Sequence, residues 1–249
     1  MDEIRIDHII TGLETGGAEM MLRKLLEQME PARFRSRVIS LTDSGTMGRA
    51  IEGLGVPVET CGMKPGRLAP GGFRRLLAFL RKDRPQIVQT WLYHADLLGG
   101  IAGKMAGVPH VLWNVRHGNL DPHRNKRTTL WTVRLNARLS RRIPQAIICN
   151  SRQAMQTHIA AGFASDRFIL IPNGFDCSKF APCDAARKAV RDELGITATA
   201  PLVGMIARFD QQKNHEGFIA AAKIVASART NAHFLLAGRG IVNENSQLT

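Results

Sequence analysis

Short apolar runs alternate with longer amphipathic segments along the whole chain. The runs are rich in β-branched residues, and several are apolar nearly throughout, which is typical of strands covered on both faces. They predict nine strands, at residues 4–10, 37–41, 56–61, 86–91, 110–115, 146–150, 167–172, 202–207 and 233–237. Strand–helix alternation at this spacing predicts an α/β protein with a parallel, doubly wound sheet and right-handed crossovers.

Apolar residues at every third or fourth position predict helices between the strands. Residues 18–29 place their alanine, methionines and leucines on one stripe, and residues 73–82 do the same with their basic residues outside. Pro85 is expected to end the second of these helices, because the residue before a proline avoids the helical conformation.

A change of pattern near residues 174–200 predicts a domain boundary. After the sequence IPNG comes a polar passage and a short helix ending at Leu194, and a new strand–loop–helix–strand pattern then begins. We expect residues 1–183 to form a complete Rossmann-like domain and residues 184–249 to start a second one. Two parallel strands are too few for a stable sheet covered on both faces, so the second domain is expected to be incomplete.

The net charge of +13 is concentrated in the first of these segments. Residues 184–249 carry eight Lys and Arg against six Asp and Glu, a net of +2, which leaves +11 for residues 1–183. A basic domain favours anionic partners, such as the phosphates of a sugar nucleotide, acidic lipid head groups or nucleic acid. No nucleic-acid-binding motif is present and aromatic residues make up 6% of the chain, so nucleic acid is not expected as a partner.

Cysteine usage and the start of the chain indicate a cytoplasmic protein. The four cysteines form no CxxC pair, and two of them lie in strand-like runs, as buried free thiols do in a reducing compartment. The first residues carry acids where a signal peptide would carry bases, and no run reaches the roughly 18 apolar residues that a membrane span needs.

The first loop, TGLETGGAEMM, joins the first strand to the first helix. Gly16 and Gly17 permit a tight turn, and a helix N-terminus with accessible N–H groups can hold a phosphate. A tight turn without a ligand stays open as the alternative. The dinucleotide fingerprint G-x-G-x-x-G is not met, because Gly12 and Gly17 have the wrong spacing.

A second candidate lies in IARFDQQKNHEGF, where Arg208 follows a strand and Lys213 precedes a helix expected to begin near Asn214. Two cations at the carboxyl edge of a parallel sheet suit a diphosphate. By themselves, an arginine and a lysine five positions apart are more often ordinary surface charges.

Four segments in this order and spacing resemble the large family four of retaining glycosyltransferases: GLETGGAE, IPNGFDCSKF, GMIARFDQQKNHEGFIAAAKIV and FLLAGRG. The resemblance covers essentially the whole chain and implies the GT-B fold, with an acceptor-side domain at residues 1–183 and a nucleotide-sugar-binding domain starting at residue 184. It implies that Gly16, Gly17, Arg208 and Lys213 contact the donor diphosphate and that Gly238 lines the nucleotide. It also implies that His117, in WNVRHGN, faces the reacting sugar as the catalytic residue.

The resemblance further implies transfer with retention, with no obligatory protein nucleophile, no metal and no cofactor besides the nucleotide-sugar donor. Positioned cations and helix-end N–H groups would stabilise the charge that develops on the leaving diphosphate. The family's E-x-G-F-x-x-x-x-x-E segment, which grips the donor, is absent from this sequence. We therefore expect a donor domain truncated within this chain, and no glycosyl transfer by the 249 residues alone.

A basic stripe free of acidic residues runs through residues 122–165. Its four arginines would fall within about 60° on a helix of 3.6 residues per turn, and one aromatic side chain lies in the same stripe: Arg127, Arg134, Arg138 and Arg141, with Trp131. Such a face suits contact with an anionic membrane surface, and a merely solvated helix face is an equal alternative.

Together these features predict a glycosyltransferase that moves a sugar from a nucleotide sugar to a glycan or lipid-linked acceptor in cell-envelope or surface polysaccharide synthesis. We expect it in the cytoplasm, peripheral on the inner face of the membrane. Two alternatives stay open: a truncated product that binds membrane or acceptor without turnover, and another nucleotide-binding Rossmann enzyme, such as a dehydrogenase or an epimerase.

Overall fold

The chain divides into two compact units, Met1–Gly174 and Phe175–Thr249. The structure is a computed structural model that describes residues 3–64, 69–123, 125–242 and 245. The division falls between Gly174 and Phe175 rather than between residues 183 and 184. The assignment of acceptor and donor roles to two domains stays a prediction.

The first unit is built on a seven-stranded sheet in the order β3-β2-β1-β4-β5-β6-β7, and every neighbouring pair is parallel. Its strands are β1 (Ile4–Ile10), β2 (Phe34–Ser40), β3 (Val58–Thr60), β4 (Ile87–Trp91), β5 (His110–Val115), β6 (Ala146–Cys149) and β7 (Phe168–Leu170). The predicted parallel α/β sheet is confirmed, and β2 begins three residues earlier than the sequence suggests.

Six helices of the first unit connect these strands: α1 (Gly17–Gln28), α2 (Gly45–Glu52), α3 (Pro70–Asp83), α4 (Tyr93–Met105), α5 (Arg127–Leu139) and α6 (Arg152–Ala160). Arg84, with a left-handed φ of 43°, terminates α3 directly before Pro85. The stripe on α1 buries Ala18, Leu22 and Leu26, as its periodicity predicts.

The chain reverses direction across the sheet between β1 and β4. It leaves β1 towards β2 and β3 on one side, and then returns to β4 on the other side. In open α/β sheets, ligands bind outside the carboxyl ends of the strands at such a switch point. The fold therefore directs attention to the loops that follow β1, β4 and β5.

The second unit contains α7 (Asp184–Glu193), the parallel pair β8 (Leu202–Ile206) and β9 (His233–Ala237), and α8 (His215–Ala228) between them. Both strands were predicted, and they form a sheet separate from the first. Much of this unit's apolar surface is exposed, including 85% of Ile206 and 73% of Ile224. Among the described residues, no helix combines the length and the apolar character needed to cross a membrane.

Candidate functional site

The glycine pair Gly16–Gly17 lies at the N-terminus of α1, directly after the loop that leaves β1. Gly16 caps the helix with an extended backbone and Gly17 is its first residue. A Cβ on Gly17 would meet no described atom within 4 Å, and a Cβ on Gly16 would meet only the flexible end of Glu19. Packing within the protein does not require glycine at either position. The carboxylate of Glu19 lies beside this helix end, and the phosphate contact that the sequence predicts for the glycine pair stays a prediction.

Trp91 and Leu92 occupy the switch point at the end of β4. Trp91 pairs in register with Ile10 of β1 and is 1% exposed. Leu92 has φ 74° and ψ 154°, a conformation that side-chain-bearing residues rarely adopt. Strained backbone of this kind costs about 1–3 kcal/mol and clusters at ligand sites. Here it turns the chain from β4 directly into α4.

His117 lies two residues beyond the end of β5, at the same edge of the sheet. Its side chain is partly buried, and its Nε2 atom has no hydrogen-bond partner among the described residues. The Tyr93 ring packs edge-on against it, with the ring centroids 6.5 Å apart. This nitrogen is also buried, and the contact with the reacting sugar that the sequence predicts for His117 stays a prediction.

A buried pair behind His117 holds this corner in place. Nδ1 of His158 lies 2.7 Å from the carbonyl oxygen of Ala154, which can only accept a hydrogen bond. Nδ1 therefore carries the proton, and Nε2 accepts a 2.7 Å hydrogen bond from the Tyr93 hydroxyl. Burial lowers the pKa of His158, and the proximity of His117 lowers it further, so the imidazole stays neutral.

Arg116, directly before His117, is a residue that the sequence analysis did not select. Its Cζ atom lies 4.8 Å from the centroid of the Trp91 ring, and its Nη1 donates a hydrogen bond to Oδ1 of Asn173. Burial lowers the pKa of Arg116, and no carboxylate in the described part of the chain forms an ion pair with it. A charged residue directly after a buried strand was the available signal.

Asp96 is a second ionisable group buried near this edge. It is fully buried, and its Oδ1 accepts a hydrogen bond of 2.6 Å from the Thr90 hydroxyl. Burial raises the pKa of Asp96 to about 8, against the opposing hydrogen bond from Thr90. At neutral pH the group is mostly a neutral acid that ties the first turn of α4 to β4.

Arg208 and Lys213 both belong to the second unit and follow β8. Nη2 of Arg208 lies 3.1 Å from Oδ2 of Asp210, and the Arg208 side chain is 55% exposed. Lys213 ends a short 3₁₀ turn, and α8 starts at His215, next to the predicted start near Asn214. Asn214 instead caps the helix, with its side chain accepting from the N–H of Gly217.

Gly238 follows β9 and lies against the backbone of the β8 loop. A Cβ there would overlap the carbonyl group of Ala207, and φ is 150°, so the position requires glycine. Phe209 N–H also donates to the carbonyl oxygen of Arg239 at 2.8 Å. The two loops that carry Arg208 and Gly238 are therefore held together, and the nucleotide contact predicted for Gly238 stays a prediction.

The predicted basic stripe is an exposed face of α5. Trp131 is 67% exposed, and the Cζ of Arg134 lies 5.8 Å from the centroid of its ring. The helix ends at Leu139, so Arg141 lies in the following turn rather than on the helix as predicted. It still lines a shallow depression of about 380 Å³ with Arg134 and Arg138. Arg127 is the first residue of the helix.

Known proteins similar to this chain point to one family. Residues 15–179 match the family Glycosyltransferase Family 4. EpsF of Bacillus subtilis, a protein named as a glycosyltransferase, is 26% identical over 256 residues, which cover 95% of this chain and 62% of EpsF. The UDP-Gal:alpha-D-GlcNAc-diphosphoundecaprenol alpha-1,3-galactosyltransferase of Escherichia coli is 29% identical over 154 residues, 60% of this chain and 39% of that protein.

The fold also matches that of solved structures. The crystal structure of Anabaena Alr3699/HepE in complex with UDP-glucose matches with a TM-score of 0.79 at 23% identity, over 97% of this chain and 62% of that one. This likeness confirms the α/β fold with a seven-stranded parallel sheet. The chain spans about three fifths of the length of EpsF and of HepE.

Proposed function

Because this chain belongs to glycosyltransferase family 4, we propose that it takes part in the transfer of a sugar from a nucleotide sugar to a glycan or lipid-linked acceptor. The observation that carries the proposal is the carboxyl edge of the first sheet. There the helix N-terminus at Gly16–Gly17 follows β1, and His117, whose Nε2 has no partner among the described residues, follows β5 on the other side of the switch point. The names of the relatives support a nucleotide-sugar donor and, for one of them, a diphospholipid-linked acceptor.

The chemistry proposed is transfer with retention and without a metal or other cofactor. As the sugar leaves, negative charge develops on the diphosphate, and Arg208, Lys213 and the helix-end N–H groups would stabilise it. His117 would contact the reacting sugar, and Gly238 would approach the nucleotide. The described residues contain no group of three or more His, Cys, Asp or Glu side chains that could hold a metal ion. Metal independence stays a prediction.

The first test is ligand choice. Titration calorimetry of the 249-residue chain should show binding of UDP-sugars or GDP-sugars and none of NAD. Binding of NAD in preference to all nucleotide sugars would replace this proposal with a dehydrogenase. Which nucleotide and which sugar bind best is the useful result if the proposal holds.

The second test is transfer itself, measured with labelled nucleotide sugars and lipid-linked or glycan acceptors. A transferase should consume donor only when acceptor is present and should give a product with the anomeric configuration of the donor. Conversion of the nucleotide sugar without acceptor would indicate an epimerase instead. Binding of acceptor or membrane with no transfer, even in a longer form of the protein, would favour the non-catalytic alternative.

A second proposal is peripheral attachment to the cytoplasmic face of a membrane through α5. The specific observation is an exposed tryptophan flanked by arginines: Trp131 is 67% exposed and Arg134 lies beside its ring. Tryptophan partitions to the membrane interface, and each arginine near an anionic surface adds about 1 kcal/mol of attraction. This location would suit an enzyme of cell-envelope or surface polysaccharide synthesis, whose acceptor is carried by a lipid.

A further inference from the structure

Arg116 carries a charge that the protein does not neutralise. Its side chain is largely removed from water, yet the described residues provide no carboxylate within ion-pair distance of it. Removing a charged group from much of its water without a counter-charge is unfavourable, and buried charges are therefore normally paired. An arginine that only packed against its neighbours could be replaced by an apolar residue at no such disadvantage. The position thus needs an explanation outside the protein's own contacts.

The groups that hold Arg116 are neutral. The face of its guanidinium lies over Trp91, and Nη1 is bonded to the side-chain amide of Asn173. Nε is buried without a partner, whereas Nη2 is neither bonded nor buried. Stacking and the amide contact fix the plane of the guanidinium before any ligand arrives, which reduces the entropy lost on binding. Arg116 is therefore a positioned cation whose Nε and Nη2 N–H groups can still donate hydrogen bonds to a ligand.

The place of Arg116 in the fold is the switch point of the sheet. Trp91, which it covers, packs in one cluster with Leu13 and Leu22, and Leu22 is on α1. Arg116 therefore lies on the side of the sheet where α1 begins. Two further polar atoms at the ends of β1 and β4 are buried without a partner among the described residues, the Thr11 hydroxyl and the Trp91 Nε1. Unmet hydrogen-bonding groups and an unpaired cation at one edge indicate a missing anionic ligand.

We propose that Arg116 binds a phosphate group of a substrate at the carboxyl edge of the seven-stranded sheet. The fork of guanidinium N–H groups matches phosphate oxygens, and the neutral partners leave the full positive charge for that ligand. The proposed function offers two sources of such a group, the nucleoside diphosphate of the donor and the diphosphate of a lipid-linked acceptor. The choice between these sources rests on the proposed function, whereas the phosphate site itself rests on the geometry of Arg116.

The site is tested by calorimetric titration of the 249-residue chain with inorganic pyrophosphate. Arg116→Gln should weaken binding about 10- to 100-fold, the effect of losing charge-assisted hydrogen bonds. Arg116→Lys, which keeps the charge and loses the planar fork, should fall in between. The matched control is Arg74→Gln, which removes an exposed arginine of α3 and should leave pyrophosphate affinity unchanged.

A second variant keeps Arg116 and places a counter-charge beside it on a neighbouring side chain. Asn173→Asp preserves the shape of the side chain that Arg116 contacts and adds a carboxylate. It should weaken pyrophosphate binding about as much as Arg116→Gln does, while raising the melting temperature, because the buried charge becomes paired. If Arg116 served only to stack on Trp91, its variants would lower the melting temperature and leave pyrophosphate affinity unchanged. That result, together with unchanged affinity in Asn173→Asp, would overturn the proposal.

Titrations with UDP and with a short-chain polyprenyl diphosphate identify the source of the phosphate. Weakening of UDP binding alone by Arg116→Gln assigns the site to the donor, and weakening of the polyprenyl diphosphate alone assigns it to the acceptor. Arginine-dependent binding of pyrophosphate, together with a lack of sugar transfer even in a longer form of the protein, would retain the site and refute the proposed function. If Arg116→Gln transfers sugar with unchanged Michaelis constants for donor and acceptor, the proposed function is retained and the phosphate site at Arg116 is refuted.

Discussion

Two arginines at the carboxyl edges of the two sheets are held in opposite ways. Arg116 in the first unit is partly buried, stacked on Trp91 and bonded to a neutral amide. Arg208 in the second unit is 55% exposed and paired with Asp210 at 3.1 Å. Sequence patterns selected Arg208, because it belongs to a recognisable segment, and did not select Arg116.

The difference shows that a cation's readiness for a ligand depends on what already surrounds it. Water and Asp210 compensate the charge of Arg208 before any diphosphate arrives, so part of the attraction is already satisfied. Arg116 has lost much of its water and has gained no opposite charge. The electrostatic attraction between Arg116 and a bound anion is therefore not reduced by an existing ion pair. The same contrast extends to carboxyl groups, since Asp96 is buried without a cation whereas Asp210 is paired.

The largest effect expected from this contrast is on the pH dependence of stability. The pKa of Asp96 is raised by burial to about 8 in the folded chain, against 3.8 for the ordinary group. The folded state therefore binds more protons between these values, and the contribution of Asp96 to stability is lost as pH rises through this window. Asp96→Asn removes the group that titrates, so the variant does not undergo this loss. The free energy of unfolding of the variant minus that of the parent should therefore rise by several kcal/mol from pH 4 to pH 8.

Denaturant unfolding at a series of pH values measures this difference, because all other groups titrate equally in both proteins. Glu52→Gln, at an exposed position of α2, is the matched control and should give a difference that is flat with pH. A flat difference for Asp96→Asn as well would mean that Asp96 is ionised in the folded protein.

The next effect concerns the exposed cations of the second unit. Arg208→Ala and Lys213→Ala should each lower turnover by about 100- to 1,000-fold, the usual consequence of removing one contact to charge that develops in the transition state. The measurement is steady-state kinetics on a form of the protein that transfers sugar, with Lys223→Ala on the exposed surface of α8 as control. Unchanged kinetics in both variants would remove these residues from the site. His117→Ala should also lower turnover, since it would face the reacting sugar.

A smaller effect is expected for the charges on α5, which are exposed and form no ion pair within the described part of the chain. The double variant Arg134→Glu/Arg138→Glu should bind anionic vesicles at least about 30-fold more weakly, at roughly 1 kcal/mol for each basic residue lost. Binding of the parent should also weaken with added salt, because screening shortens the reach of surface charges. Arg74→Glu/Arg81→Glu makes the same charge change on α3 and is the control. Equal binding of the parent to neutral and anionic vesicles would exclude this surface as an electrostatic membrane contact.

The smallest effect tests the compensation of Arg208 directly. Asp210→Asn removes the paired charge and keeps an oxygen that can accept from the N–H of Gln212. Because an exposed ion pair is worth about 0.2–1 kcal/mol, diphosphate affinity should rise by no more than about five-fold. A fall in affinity would show that Asp210 positions Arg208 more than it neutralises it, and calorimetry with UDP decides between these outcomes.

Much of the fold was accessible from the pattern of apolar residues. All nine predicted strands are present, because short β-branched and apolar runs such as AIIC favour the extended backbone of a covered parallel sheet. Boundaries were less accurate: β2 begins three residues earlier than predicted, and α5 ends before Arg141. End residues depend on caps and neighbouring strands, to which local periodicity does not respond.

The sequence by itself determined the fold class, the family and the glycine and cation positions of the segments that carry the family resemblance, since those features are local in the chain. Only the tertiary structure decided which charged groups are compensated. Arg116, Trp91 and Asn173 are far apart in sequence, and they meet because β4, β5 and β7 belong to one parallel sheet whose strands end at the same edge. Burial and pairing are properties of that three-dimensional arrangement, and they give a charged side chain its pKa and its capacity to bind an anion.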